Sequence, residues 1–165
     1  MRGMCHMKLT KDMLDNGGVL RSLIQLFNKK QDMNSFMMVF QCLRDSYVYV
    51  PCVLSIEGEV QNGIFDYDAL DHDLEIIIKP DFLYTNDGIK YFPTFSCSEL
   101  IPIEDNKDMS ALRRHFLDVI DWADFSKDVE GILVDAFTDM FVCEKSMYDT
   151  VKQMNSLVDE DIVLN

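Results

Sequence analysis

The sequence has few glycines, few prolines and no long apolar run. Seven glycines and four prolines in 165 residues are too few for a collagen-like or low-complexity chain, and 48% hydrophobic residues exclude a disordered one. Runs such as EIIIKP and GILVDAF have the length of a strand, so no membrane-spanning helix is predicted. The N-terminal stretch has neither a secretory apolar run nor a small-residue cleavage site. We predict one cytoplasmic globular domain over 1–165, with a core at about 18–155 and flexible tails.

Motifs for cofactors and structural metals are also missing. The chain has no G-x-G-x-x-G and no G-x-x-x-x-G-K, so it offers no phosphate-binding loop. Its five cysteines form no C-x-x-C pair, which favours free, mostly buried thiols over a zinc or redox site. We therefore predict no cofactor and no metal.

Positive charge is scarce outside the first part of the chain. The formal net charge is -14, but residues 1–45 carry +3 and residues 46–165 carry -17. A body this acidic repels phosphate backbones and anionic lipids. The charge distribution therefore argues against nucleic acid and membrane partners.

Apolar spacing along the chain alternates between helical and strand periods. Helical spacing predicts helices in VLRSLIQLFNKK, in DMNSFMMVFQCLRDS with Asn34 or Asp32 as N-cap, and in DMSALRRHFLDVIDWADF with Asp108 as N-cap. A capping box of Ser146 and Asp149 predicts the start of a final helix. Strands are predicted in SYVYVPCVLSI, in EGILVDAF, in MFVCE, and in a hairpin that joins LEIIIKPDFLYT to IKYFPTF through TNDG.

These elements predict an α+β fold. Two N-terminal helices, one middle helix and one C-terminal helix would pack on a mixed, largely antiparallel sheet of about five strands. The acidic segment 57–73 is predicted to be a loop. Pro51 and Pro93 have no N–H to donate, and therefore predict edge strands or bulges.

Candidate catalytic and metal-binding groups have simpler structural explanations. A nucleophile and base could be formed by His115 with Cys97, or by His115 with Ser96 or Ser98. No hydrolase signature surrounds these residues, so a structural role for His115 is favoured. Aspartates in the 57–73 loop offer oxygen ligands for calcium, yet their spacing does not fit an EF-hand, and a solvated acidic loop is favoured. His72 in the same loop is interpreted as a surface histidine.

Three stretches resemble a known family. They are DSYVYVP at 45–51, DGIKYFPTFSCSEL at 87–100, and EGILVDAFTDMFVCEKSMYDTV at 130–151. Together they resemble the N-terminal domain of the SseB family, the bacterial enhanced serine sensitivity proteins, over roughly 18–155. The second stretch carries the best-marked positions of that family, which fall on Phe92, Pro93, Phe95, Ser96 and Glu99.

The chain departs from the family pattern at two places. Cys97 and Ser98 stand where small or acidic residues are usual, and Asp135-Ala136 stands where the family often has Asn-Pro. The resemblance implies a bacterial cytoplasmic protein and provides no established catalytic residues.

Three functions remain open at this stage. The first is a non-enzymatic protein-interaction module that binds a protein or peptide through exposed aromatics on edge strands. Its candidate surface is Tyr47, Tyr49, Tyr91, Phe95 and Glu99. The alternative is a small acidic secretion-type chaperone that acts as a homodimer. An enzyme that uses Cys97 or an acidic cluster is the third, and fold-level analogy cannot decide among them.

Overall fold

A computed structural model describes residues 10, 11, 14, 17–102 and 108–158 of the chain. Its four helices are α1 (Gly18–Lys30), α2 (Met33–Leu43), α3 (Phe116–Phe125) and α4 (Tyr148–Gln153). Nine strands are present in the same residues: β1 (Tyr47–Ile56), β2 (Glu59–Val60), β3 (Ile64–Asp66), β4 (Ile76–Pro80), β5 (Leu83–Tyr84), β6 (Lys90–Thr94), β7 (Ser110–His115), β8 (Val129–Val134) and β9 (Phe141–Glu144). The predicted N-terminal tail lies largely outside the described residues. None of the described helices combines the length and the apolar content that crossing a membrane requires.

The strands form two sheets. The first has the order β2-β1-β7-β3, with β4 also paired to β1, and the second has the order β5-β6-β8-β9. The pairs β3–β7 and β6–β8 are parallel, and the other pairs are antiparallel. The prediction of an α+β fold with mixed, largely antiparallel pairing is therefore confirmed.

One apolar core joins both sheets to the helices. The predicted apolar face of β1 is buried: Val48 and Val50 lie in this core, and Cys52 and Leu54 lie in a second, smaller cluster with Leu112. Helices α1 and α2 close one side of the core through a group of aromatic rings with centroids 4.8 to 5.8 Å apart, formed by Phe27, Phe36, Phe40 and Phe141. Asp32 caps α2 by accepting a hydrogen bond from the Ser35 N–H at 2.8 Å, which confirms one of the two predicted caps.

The predicted helix over 108–125 is wrong in its first half. Residues 110–115 form β7, the strand between β1 and β3, and only 116–125 are helical. Ala, Leu and Arg favour helices, but pairing on both edges and burial outweigh that propensity here. The helix N-cap is consequently His115, whose Nδ1 accepts a hydrogen bond from the Leu117 N–H at 3.2 Å, and not Asp108.

Two smaller predictions are also wrong. The 57–73 segment contains β2, β3 and a short 3₁₀ helix (Tyr67–Ala69), so it is not purely a loop. The predicted capping box does not start α4, because the residue at its N-cap, Met147, makes no side-chain cap. The chain enters α4 through a 3₁₀ turn (Lys145–Met147), whose backbone satisfies the Tyr148 N–H instead.

Candidate functional site

Strand β1 changes partners along one of its edges. Tyr49 and Phe95 exchange both backbone hydrogen bonds, each 2.9 Å long, and this pair joins the two sheets. From Cys52 onward the same edge of β1 pairs with β4 instead. The sheets therefore meet at Tyr49 and diverge beyond it.

Two prolines lie where the sheets diverge. Alternate residues of a strand direct their backbone N and C=O groups to the same edge. The backbone groups of Pro51 therefore face the same edge as those of Tyr49, and the backbone groups of Pro93 face the same edge as those of Phe95. The Pro51 carbonyl accepts a hydrogen bond from the Asp81 N–H at 2.9 Å. Since each missing N–H faces this opening, neither proline breaks a ladder bond.

Of the two alternatives predicted at these prolines, edge strands or bulges, the edge strands are wrong. Strand β1 lies between β4 and β7, and β6 lies between β5 and β8. The ladder between β6 and β8 does shift register between Lys90 and Phe92, just before Pro93. Both prolines are tolerated in central strands because the opening separates the neighbouring strands beside them.

We call the opening the fork cleft. Its walls are mainly apolar, and its volume is about 70 Å³, which suits one small apolar group and not a drug-sized ligand. The lining residues include Pro51, Asp81, Pro93, Phe95, Ile101 and Phe137. Phe95 is only 1% exposed, whereas Phe137 is 60% exposed and stacks on it with ring centroids 6.0 Å apart. An apolar cleft bordered by an exposed aromatic ring is a candidate site for the side chain of a partner.

Asp81 is the charged residue among those that line the fork cleft. Loss of water beside the apolar wall raises the pKa of its carboxyl above the usual range. A cation placed beside Asp81 would pair with the carboxylate and offset the cost of its lost hydration. The cleft therefore combines an apolar wall with a single site for positive charge.

Buried hydrogen bonds hold the turn that carries Phe137. Asp135 follows β8 with φ of 55° and is 1% exposed. Its carboxylate accepts from the Ser96 N–H at 2.7 Å and from the Ser96 hydroxyl at 2.7 Å. The Arg21 guanidinium also donates to the Ser96 hydroxyl oxygen, at 3.2 Å. We call Arg21, Ser96 and Asp135 the buried polar cluster; it ties α1, the end of β6 and the turn after β8 together.

Burial and hydrogen bonding act in opposite directions on this cluster. Desolvation raises the pKa of the Asp135 carboxyl, while the bonds from Ser96 and the charge of Arg21 lower it, and the net direction is upward. Gly17 lets α1 approach, because a Cβ atom there would lie 2.3 Å from the Ser96 carbonyl oxygen. The cluster holds the turn that carries Phe137 against the end of β6.

The predicted contact residues Tyr47 and Tyr49 lie on the same side of β1 and are half-buried. The Arg113 guanidinium lies 3.9 Å from the Tyr47 ring centroid and pairs with Asp66 at 3.1 Å. The Tyr47 ring also makes an edge contact with His115. Tyr49 packs beside Phe95, so of the two tyrosines it is the one near the fork cleft.

The other predicted contact residues are distributed differently. Phe95 is buried, so its prediction as an exposed aromatic is wrong: the ring forms the inner wall of the cleft beneath Phe137. Tyr91 is half-buried and pairs with Leu83 of β5. Glu99 is exposed in the short turn that precedes Ile101, a residue of the cleft wall.

Two of the candidate catalytic residues, Ser96 and His115, are engaged in structural hydrogen bonds. Ser96 is buried with its hydroxyl bonded to Asp135, and the ring nitrogen of His115 caps α3. Burial lowers the pKa of His115, which favours the neutral ring that capping requires. Within the described residues no hydrogen bond joins His115 to any of the three candidate nucleophiles.

The aspartates of the 57–73 segment satisfy local groups. Asp66 accepts from Arg113 and from the Asp68 N–H, and Asp71 accepts from the Asp73 N–H. The His72 ring lies against the Tyr67 ring, with centroids 4.8 Å apart. In the part of the chain that the structure describes, no three histidines, cysteines or acids are grouped to hold a metal ion.

Sequence reasoning misses Phe137, Asp81 and the role of Asp135. The apolar pattern assigns Phe137 to a strand, although β8 ends at Val134. The sequence feature that indicates a turn here is Asp135, because Asp and Asn are enriched at left-handed backbone positions and in turns. Nothing in the sequence pattern indicates that Asp81 and Phe137 line the same cleft.

Comparisons with protein-family models, with curated proteins and with solved structures returned no match for this chain.

Proposed function

We propose that the chain is a non-enzymatic protein-interaction module whose fork cleft receives an apolar side chain of an extended partner segment. The observation that carries the proposal is the exposed Phe137 ring stacked over the buried Phe95 at the mouth of an apolar cleft. Aromatic residues, phenylalanine among them, are enriched at protein interfaces, and a few anchor residues often carry most of the binding energy. The SseB resemblance stays a prediction, and the proposal does not depend on it.

The backbone around the cleft favours insertion of a side chain over addition of a strand. Strand addition needs free N–H and carbonyl groups along an edge. Here the two residues that face the opening are Pro51 and Pro93, which have no N–H, and the Pro51 carbonyl already accepts from Asp81. Recognition at this site therefore rests on side-chain contacts.

Charge defines the partner more closely. Asp81 borders the apolar wall, and residues 46–165 carry a charge of -17. A lysine or arginine beside the inserted apolar residue would pair with Asp81, and the field of the body would speed its approach. We infer that the partner segment combines a small apolar residue with an adjacent basic one.

The test is a panel of fluorescent peptides in which a valine, leucine or proline is followed by lysine, by glutamate or by serine. Anisotropy would measure the dissociation constant of each. We expect the lysine peptides to bind best, and Phe137→Ala to weaken them by about tenfold or more. Asp81→Asn should remove most of the preference for lysine over serine.

Phe125→Ala is the matched control, because it removes a second exposed phenylalanine from a different element. It should leave peptide binding unchanged. The proposal fails if no peptide class binds saturably, or if Phe137→Ala and Phe125→Ala weaken binding equally. Circular dichroism spectra of all variants should match the wild type, since each altered side chain is at least partly exposed.

A further inference from the structure

A second apolar depression lies on the side of the molecule formed by α1, α2 and β9. We call it the aromatic groove; it has a volume of about 260 Å³, and its lining includes Phe27, Phe36, Met140, Phe141, Val142 and Glu144. Successive side chains of a strand point to opposite faces, and Phe141 and Val142 are successive residues of β9. Since both of them line the groove, it runs along the edge of the strand and not over one of its faces.

The edge of β9 beside the groove has no partner strand among the described residues. Strand β9 is the last strand of its sheet and pairs with β8 alone. Just after β8, the Asp135 N–H donates to the Thr94 carbonyl of β6 at 3.0 Å. Because backbone groups alternate between the two edges of a strand, the preceding residue, Val134, directs its own groups to β9. Its partner there is Phe141.

The same alternation places the backbone N–H and carbonyl of Val142 on the open edge. Phe141 directs its backbone groups to β8, so those of the next residue, Val142, point away from β8 and along the groove. In the described chain, no backbone hydrogen bond outside the regular elements involves Val142. The groove therefore borders the kind of open strand edge to which an extended segment can add.

We propose that the aromatic groove binds an extended peptide segment that adds to β9 as a further strand. In antiparallel pairing, the more stable arrangement, the residue opposite Val142 would exchange both backbone hydrogen bonds with it. Residues that lie opposite each other place their side chains on the same face. The residue opposite Phe141 would therefore direct its side chain to the face where the Phe27 and Phe36 rings contact the Phe141 ring. A large aromatic side chain can make further edge contacts there.

Charge defines the segment further. Glu144 is the charged residue among the described residues that line the groove, and it is exposed. A lysine or arginine opposite Glu144 would lie on the same face and pair with its carboxylate. Glu144 follows Phe141 by three positions. In an antiparallel segment, the basic residue therefore precedes the large apolar residue by three positions.

This inference is independent of the proposed function, because the aromatic groove and the fork cleft share no lining residue among those described. The fork cleft takes one side chain, whereas the groove takes a strand. Phe137→Ala should leave binding at the groove unchanged. Failure of one proposal therefore does not affect the other.

Backbone methylation of a peptide tests strand addition on the wild-type protein. The probe is the fluorescent peptide Thr-Lys-Val-Thr-Phe-Thr with blocked ends, and we expect it to bind saturably in anisotropy titrations. Methylation of the backbone nitrogen of the threonine between valine and phenylalanine removes the N–H that would bond to Val142, and should weaken binding by about tenfold or more. Methylation of the valine nitrogen is the matched control. That N–H points away from β9, so this peptide should bind like the unmethylated one.

Reversal of one charge tests the register. Glu144→Lys should weaken binding of the probe by about fivefold, and should bind better the peptide in which glutamate replaces lysine. Glu130→Lys is the matched control, because it changes the net charge equally at an exposed residue of β8 outside the groove. The proposal is overturned if the probe does not bind saturably, if the two methylated peptides bind equally, or if the two lysine variants weaken binding equally. Binding that Phe137→Ala abolishes would place the probe in the fork cleft and overturn the proposal as well.

Discussion

Replacement of Asp135 by alanine tests the buried polar cluster. The substitution removes the acceptor of two hydrogen bonds from Ser96, both 2.7 Å long, and leaves the Ser96 N–H buried without that partner. It also places alanine at φ of 55°, where aspartate and asparagine are better tolerated.

The magnitude follows from these contacts. Hydrogen bonds to a charged group contribute about 1.5–3 kcal/mol each, and the left-handed alanine adds about 1 kcal/mol. Relief of the buried charge offsets part of this, as the raised pKa of Asp135 indicates. We expect Asp135→Ala to lower the free energy of unfolding by about 3 kcal/mol, and Asp135→Asn, which keeps one of the two acceptors, to lower it by less than Asp135→Ala does.

Urea unfolding followed by circular dichroism measures both variants. The folded-state pKa of Asp135 lies above 3.8, so the folded chain holds this proton at pH values where the unfolded chain has lost it. Its contribution to stability is therefore fully present below pH 3.8 and declines as the pH rises through the folded-state pKa. The difference in unfolding free energy between the wild type and Asp135→Asn should therefore shift against the wild type as the pH rises from 3.8 through the folded-state pKa of Asp135. An Asp135→Ala variant within about 1 kcal/mol of the wild type would refute the reasoning.

Other predictions concern packing, thiols and the cleft. Gly17→Ala should destabilise the fold by about 2 kcal/mol more than Gly88→Ala. Both glycines have positive φ, but only at Gly17 would the added Cβ lie 2.3 Å from a carbonyl oxygen. Equal losses of unfolding free energy in urea would contradict this clash. In a Cys5→Ser variant, Ellman's reagent should label only Cys97 before unfolding and all four remaining thiols afterwards. The reason is that burial raises the pKa of the Cys42, Cys52 and Cys143 thiols. Rapid labelling of a second thiol in the folded protein would disprove this. Binding of the lysine peptides should weaken as the pH falls through the raised pKa of Asp81, and Asp81→Asn should abolish that dependence in anisotropy titrations.

Local patterns predict much of the fold. The helical stripe of α1, the apolar face of β1 and the hairpin between β5 and β6 depend on neighbours in sequence, and the structure confirms them. Strand β7 is not predicted by local patterns, because its residues favour a helix. It forms a strand because it pairs with β1 and β3, which are distant along the chain.

The candidate site is less accessible to sequence reasoning. The stretch at 87–100 stands out in the sequence, and Phe95 does line the cleft, but burial of Phe95 and exposure of Phe137 depend on how the two sheets meet. Periodicity assigns residues to faces of one element, and it cannot show which elements share a cavity. Asp81 and Phe137, which follow the ends of different strands, come together only in the folded chain.

The pair of hydrogen bonds between Tyr49 and Phe95 also has a consequence for cooperativity. Two sheets that shared a long ladder would open and close together through their backbones, whereas these share one exchange pair. Coupling between them must therefore come mainly from the side chains of the common core. A small loosening of that core would let each sheet open as its own unit, and the amides of Tyr49 and Phe95 would be among the first to lose protection from hydrogen exchange.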